Sequence, residues 1–268
     1  MSSGLRLLLK GLLPPLAISA YRRLFPVRRS WIWEGIYPSL DAVPARNAAY
    51  DQDARVAEMV AQAERLLGEV RDGRKPFHWH ETLTTLAGVV GAANGKVRVI
   101  DFGGGMGTGF IQLMATLPAG TGIRYDVIDL PGVCAAGRKL FAADPRIGFH
   151  EAVKDAPADA DIVYANSVLQ YIADYAGQLR ELAAVGAPWL LLARLASGDF
   201  ASFATGQMNL PGQVVPHWFL NRGEVVKLLE QAGYRLASES LENHEYDVSN
   251  FPPSHRSGRM RHLLFKKK

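Results

Sequence analysis

A chain of 268 residues, 48% hydrophobic and 21% charged, has the size and balance to bury the core of one large α/β domain with an N-terminal extension, which excludes a low-complexity class. Its single cysteine, Cys134, excludes an internal disulfide and a cysteine-based metal cluster, and suits a reducing, cytoplasmic setting. The formal net charge is +4, and much of the excess gathers at the ends (Arg22, Arg23, Arg28 and Arg29, then Arg256, Arg259, Arg261 and Lys266 to Lys268). Such ends favour an anionic surface, a membrane or a polyanionic substrate, and the absence of an interleaved aromatic and basic motif disfavours nucleic acid.

Residues 4–25 hold a leucine-rich run with Lys10, followed by Tyr21-Arg22-Arg23. The run is too short for a membrane span and is broken by Pro14 and Pro15. Residues 1–30 therefore read as a basic apolar segment whose stretch 5–25 lies at the inner face of a membrane or against a partner, or docks on the protein's own core. Residues 31–94 read as a largely helical extension or cap. Its aromatic, turn-rich opening (Trp31, Trp33, Tyr37, Pro38) is expected to be a buried arm or a flap. Val56, Met59, Val60, Ala63, Leu66, Leu67 and Val70 form one stripe of a helix over 53–71, with Asp51 or Asp53 to cap it and Gly73 after it. A second helix is expected over about 79–92.

From residue 95 the pattern changes to strands alternating with helices. Val97, Val99 and Ile100 run into Asp101, four glycines follow at 103, 104, 105 and 107, and Phe110, Ile111, Leu113, Met114 and Leu117 recur at helical spacing. Further strands are expected at 123–129, 147–153, 161–166, 189–195, 234–241 and 260–265. Pro131 sits near the first turn of a helix, residues 169–185 are helical, and Asn221 with Glu224 forms a capping box for a helix that Gly233 ends. The order predicts an α/β fold, a doubly wound, Rossmann-like, seven-stranded and mostly parallel sheet over 95–268. Residues 196–217 exceed normal loop length and are expected to be a lid or a binding loop.

The glycine turn decides the ligand. A dinucleotide fingerprint needs glycines at i, i+2 and i+5, but the sixth position from Gly103 is Thr108, from Gly105 Phe110 and from Gly107 Gln112. No lysine stands at P-loop spacing either. What remains, D-x-G-x-G-x-G from Asp101 to Gly107, resembles motif I of the class I methyltransferases that use S-adenosylmethionine. That resemblance implies cofactor contacts from Asp101, Gly103, Gly105 and Gly107, and a ribose-binding acid at Asp129, 28 residues further on; Asp126 is the rival, on the opposite pleat. It also implies adenine contacts from Val153, with Glu151 or Asp155 near the amino group. Asn166 and Ser167, at the end of the fourth predicted strand, would face the sulfonium and the acceptor, although Ser167 is equally placed to cap the next helix.

A wider set, Trp33-Glu34-Gly35-x-Tyr37-Pro38-Ser39, Asp101 to Gly105, Ser167-x-Leu169-Gln170-Tyr171, and Gly206-Gln207 before Pro216-His217-Trp218, is similar to a bacterial family of methyltransferases associated with surface-polysaccharide (O-antigen or capsule) biosynthesis. The likeness runs from the Leu-Leu-Pro-Pro start to the C-terminus, with Asp129 where a Glu is expected. It implies methyl transfer to an oxygen of a sugar or other small acceptor. A hydroxyl acceptor needs a base, and His217 and His80 are the candidates; Arg194 and Tyr171 are candidate acceptor contacts, Arg194 for an anionic one. No metal-ligand spacing and no nucleophile elbow are present. A signal peptide ending near Ala20 is disfavoured, since a secreted enzyme would lack the cosubstrate. The alternatives are a noncatalytic methyltransferase-like module that docks a biosynthetic complex at the membrane and, behind it, a nicotinamide-dependent oxidoreductase.

Overall fold

The computed structural model describes residues 31–46, 53–74, 80–208 and 212–268. The expectations for residues 1–30, the Asp51 cap and the first residue of the 79–92 helix lie outside them. Within them, β1 (Trp33–Tyr37) precedes two helices, α1 (Asp53–Arg71) and α2 (Glu81–Asn94). The alternating part follows as β2 (Lys96–Phe102), α3 (Thr108–Thr116), β3 (Gly122–Ile128), α4 (Pro131–Leu140), β4 (Ile147–His150) and β5 (Ile162–Asn166). It continues through α5 (Tyr175–Ala184), β6 (Trp189–Leu195), β7 (Ser197–Gly198), β8 (Phe203–Gln207), β9 (Val215–Asn221), α6 (Arg222–Gln231), β10 (Tyr234–Leu241) and β11 (Arg261–Lys267).

The large sheet has the order β10-β11-β6-β5-β2-β3-β4, with β11 alone antiparallel to its neighbours. This is the doubly wound, mostly parallel sheet expected. Its inner strands β2, β5 and β6 are largely buried because both faces of the sheet are covered there, whereas β10 at the edge is mostly exposed. Side chains alternate across a strand, so Val97 and Val99 of β2, Ile162 and Tyr164 of β5, and Leu191 of β6 share a core with Ala63 and Leu66 of α1, Leu83 of α2 and Phe110 of α3. Ile100, Val163, Leu190 and Leu192 face the other way, onto Leu179 and Leu182 of α5 and Val225 and Leu229 of α6. At the amino end of β2, the Arg98 backbone N–H donates to Asp161 Oδ2 at 2.8 Å and its guanidinium to Asp161 Oδ1 at 2.8 Å, fixing the register of β2 on β5.

Residues 196–217 are not a structureless lid. Their described part makes β7, β8 and the start of β9, which join β1 in a second sheet of order β1-β8-β9-β7. β8 pairs with β1, some 170 residues away in the chain, placing Trp33 opposite Gln207 and Tyr37 opposite Ala204. All five residues of β8 are buried, so no polar alternation marks the strand, and Pro216 within β9 argues locally against one. Trp33, Phe203, Phe219 and Phe251 fill the separate core of this sheet. The expected arm at Trp33 is thus a strand, and the sheet it joins sits where β6 ends.

Two other boundaries move. The strand expected to reach Val153 stops at His150, and Val153–Asp155 forms a single 3-10 turn. The helix expected from residue 169 begins at Tyr175, capped by Asp174, whose side chain accepts from the Gly177 N–H at 2.8 Å; Ser167 caps nothing. Pro131 opens α4, and Asn221 caps α6 by accepting from the Glu224 N–H at 2.8 Å. The reciprocal half of that box runs through Ser202, which accepts from the Asn221 N–H and donates to the Glu224 carboxylate. Asn221 Nδ2 also donates to the Phe200 carbonyl at 2.7 Å, so one side chain joins α6 to the small sheet.

Asn221→Ala is expected to cost about 1–2 kcal/mol, a fall of a few degrees in Tm. Asn221→Asp, which keeps the accepting oxygen and loses only the bond to Phe200, should lose less. Thermal unfolding checks both, and equal losses would show that the cap does not contribute.

Candidate functional site

The carboxyl end of β2 delivers Asp101 and Phe102 into the glycine turn, and α3 leaves it at Thr108. Gly103 and Gly105 have φ of +70° and +56°, a region L side chains rarely occupy. A Cβ at Gly103 would collide with Val168, and one at Gly105 would lie 2.9 Å from Met59 Cε. Gly107 takes φ of +69° as the residue before α3. Three of the four glycines are thus demanded by the backbone itself, and Val168 and Met59 pack where side chains at Gly103 and Gly105 would sit.

Asp129, one residue past β3, ties the turn down. Its Oδ2 accepts from the Gly105 N–H and its Oδ1 from the Leu130 N–H, both at 2.8 Å. Burial holds its carboxyl above the usual carboxylate range, and the two N–H bonds pull it back. Asp101 is buried, with one oxygen accepting from the Tyr125 hydroxyl at 2.6 Å and the other without a partner among the described residues. Burial pushes it up to about 7, the Tyr125 bond opposes the shift, and the Asp129 charge adds to it.

Two clefts of about 330 and 300 Å³ flank the turn and share Arg55, Met59, Gly103, Gly105 and Ser167, forming one trough. The first has Asp129 with Leu130, Val133, Val168 and Ile172, a carboxylate set among apolar walls. The second is polar, with Asp101, Asn166, His80 and Arg194. The structure therefore brings together Asp101, Gly103, Gly105, Asp129, Asn166, Ser167, His80, Arg194 and Tyr171. Arg55, Met59 and Gln62 of α1 were missed. They share one helix face at spacings of four and three, beside the buried stripe of Ala63 and Leu66, and the two polar residues within that spacing are the only signal.

Other expected residues fall elsewhere. Val153 is packed in the core beneath α5 and lines neither cleft. Glu151 pairs with Arg138 at 3.3 Å, and Asp155 stays on the 3-10 turn. Asp126 is bound to His150 at 2.8 Å and Arg124 at 3.2 Å, away from the trough. His217 is buried among the rings of Trp33, Tyr171 and Phe219, and burial pushes its imidazole down to about 3. A base that weak and enclosed does not reach the trough. His80 does line it, but its Nδ1 meets the Tyr164 hydroxyl at 2.9 Å and its Nε2 the Thr108 hydroxyl at 3.0 Å, so it braces α3 against β5. Tyr171 donates to Gln207 Oε1 at 2.7 Å and links the trough to the small sheet. The Arg194 Nε lies 3.0 Å from the Glu242 carboxylate.

Among the described residues no group of His, Cys, Asp and Glu could hold a metal ion, and no helix is long and apolar enough to cross a membrane. No family model matches the chain, and no curated protein does. Solved structures that do match include the 1,6-didemethyltoxoflavin-N1-methyltransferase of Burkholderia thailandensis, bound to 1,6-didemethyltoxoflavin and S-adenosylhomocysteine (TM-score 0.48, 16% identity, covering 84% of this chain and 92% of that one). Another is magnesium protoporphyrin IX methyltransferase of Synechocystis PCC 6803 with S-adenosylhomocysteine (0.46, 15%, 81% and 100%). A third is CalS10, an amino pentose methyltransferase of Micromonospora echinaspora bound to S-adenosylmethionine (0.46, 15%, 78% and 96%). At such TM-scores and identities the functional reading rests on this chain's own residues.

The raised pKa of Asp101 ties stability to pH. The unfolded chain gives up this proton near pH 4 and the folded one near pH 7, so stability should fall as pH rises between those values and level off above. Asp101→Asn should lose that slope. Urea midpoints of both proteins at pH 5 and pH 7.5 check it; an equal change in the two would remove Asp101 as the cause.

Proposed function

We propose that this chain is an S-adenosylmethionine-dependent methyltransferase that places a methyl group on an oxygen of a sugar or other small acceptor, in the assembly of a surface polysaccharide. The observation that carries the reading is the glycine turn, held to Asp129, that lines the trough. Gly103 and Gly105 line both halves of the trough, and their lack of a Cβ lets Val168 and Met59 close in on the turn, so that backbone rather than side chain would face a nucleoside. Each Asp129 oxygen has one N–H partner and keeps lone-pair capacity for a ribose hydroxyl. Leu130, Val133, Val168 and Ile172 supply the apolar walls an adenine ring needs, in place of Val153. On the polar side, the Asp101 oxygen without a described partner would accept from an ammonium group, and Arg55 and Gln62 are donors for a carboxylate.

When bound, S-adenosylmethionine supplies a methyl group on a positively charged sulfur, so the leaving group is already activated. The protein's task is then alignment and exclusion of water, which Met59 and the α1 face above the turn, and Ser167 and Asn166 at its edge, are placed to perform. The choice of oxygen as the accepting atom, and the polysaccharide setting, follow the resemblance carried by the Trp33-to-Pro38 segment, the Ser167-to-Tyr171 segment and His217 with Trp218.

Isothermal titration should show saturable binding of S-adenosylmethionine and S-adenosylhomocysteine. Gly105→Val, which forces a side chain into φ of +56° against Met59, and Asp129→Ala should each weaken binding at least about 100-fold, or about 2.7 kcal/mol. NADH and NADPH should give no thermal protection. If neither nucleoside binds the wild type, the assignment is overturned.

A further inference from the structure

At Arg194 the polar half of the trough meets a second cleft, of about 490 Å³. Its walls include Glu81 and Thr82 at the start of α2, Ser240 of β10, Glu242 and His244 beyond it, and His262 of β11. The meeting point is built by an irregularity in the sheet. Leu192 pairs with Leu263 and Leu195 with Arg261, so Ala193 and Arg194 of β6 face the single residue His262. The extra residue is a β-bulge, with Arg194 at φ of 51°, a backbone state disfavoured for any side chain with a Cβ. Bulges re-aim side chains, and this one sets Arg194 on the wall shared by both clefts while His262 lines the second.

The walls also state what they would bind. The Arg194 charge is answered by Glu242 at 3.0 Å, with both side chains largely buried, and its guanidinium donates to the Tyr246 hydroxyl at 3.3 Å. An anionic acceptor would have to displace Glu242 and would then face Glu81. Among the described residues of this cleft, one fixed cation stands against two carboxylates. Glu242 Oε2 has no hydrogen-bond partner among them and suits a hydroxyl donor. Thr82, Ser240 and Asn243 add neutral donors and acceptors, and exposed Leu241 offers an apolar face for C–H groups. Polar walls of carboxylates, hydroxyls and an amide around one apolar plate match a carbohydrate ring.

We infer that this second cleft is the acceptor subsite of the methyltransferase proposed above, on which it rests; that it takes an uncharged, polyhydroxylated acceptor; and that His262 is its general base. His262 Nδ1 lies 3.4 Å from the Thr82 hydroxyl, and its Nε2 has no partner among the described residues. The acceptor oxygen bonds to the methyl carbon as the sulfur–methyl bond breaks, the sulfur keeps the electron pair, and the hydroxyl proton passes to His262 Nε2 and on to solvent. The groups facing His262 are Thr82 and Glu81 from α2, Ser240 from β10, Glu242 and His244 from the segment after it, and Arg194 from β6. Burial lowers its pKa, the two carboxylates oppose the shift and Arg194 adds to it. The imidazole is therefore neutral and able to take a proton at pH 7.

The test uses the full chain saturated with S-adenosylhomocysteine and follows the His262 C2–H resonance, assigned by its loss in His262→Gln. Methyl glycosides of neutral hexoses and 6-deoxyhexoses are titrated in, against glucuronic acid and glucose 6-phosphate. At least one neutral glycoside should shift the resonance saturably, the anionic sugars should not, and Glu242→Gln should weaken the glycoside at least tenfold. With methyl-labelled S-adenosylmethionine, His262→Gln and His262→Asn should lower transfer to that glycoside at least 100-fold while affinity for S-adenosylhomocysteine is kept. Tighter binding of the anions, glycoside binding that leaves the resonance still, no glycoside binding at all, or full transfer by both variants each overturn the inference. Failure to bind S-adenosylhomocysteine sinks the underlying reading instead, and the subsite with it.

Discussion

Everything at the head of the sheet depends on one carboxylate shared between two backbone N–H groups. Asp129 holds Gly105 from below and Leu130 beside it, and by doing so pins the β2 turn to the end of β3. A turn with three residues at positive φ has little intrinsic reason to keep one shape, because glycine pays the largest entropic penalty on ordering. The two charge-assisted bonds supply that reason. The carboxylate is drawn in against the backbone, so its remaining lone pairs face the trough from a fixed point.

The same edge stores strain in its side-chain-bearing residues. Among the described residues, the non-glycine positions at positive φ are Ser167 and Arg194, at the ends of the adjacent strands β5 and β6. Each such residue costs about 1–3 kcal/mol. Both line the trough, Ser167 in the short link from β5 to the 3-10 turn Leu169–Tyr171 and Arg194 at the bulge of β6. The sheet beneath can hold them because its strands are packed on both faces, with Leu190, Leu191 and Leu192 alternating between two cores just before the bulge. Rigid strands thus present two off-pattern residues at the point where chemistry is expected, and the small sheet, reached directly from β6, closes the far side through Tyr171 and Gln207.

Local chemistry made much of this legible in the sequence. The glycine spacing excluded two nucleotide motifs, apolar runs marked strands of the large sheet, and Pro131 and Asn221 marked two helix starts that the structure keeps. What was not legible is non-local. No local pattern shows that Phe203–Gln207 pairs with Trp33–Tyr37, because a strand buried on both faces without apolar continuity looks like a loop. Val153 was misplaced because a strand end was set three residues late, and His217 because burial, which removes its basicity, is a property of the second sheet. His262 went unnoticed beside Arg261 at the polar start of a strand, and only the register shift opposite Arg194 gives it a position.

The charges along the trough also bear on turnover. Asp101 and Asp129 lie close enough for one to raise the pKa of the other, so the site is poised to gain from a cation. On the reading proposed, the substrate carries a positive sulfur and the product a neutral thioether. Carboxylates beside the sulfur would therefore hold the substrate more tightly than the product and speed its exchange. Held too strongly, they would stabilise the ground state more than the transition state, in which that charge is already dispersing, and would slow the transfer. The arrangement seen here limits that cost. On that reading Asp129 would meet the sugar, with both oxygens already engaged by N–H donors, while Asp101 is buried deeply enough that its proton is only half lost near pH 7. On the same reading, full negative charge would be kept from the point where the methyl group leaves, and the pull that remains would act on binding.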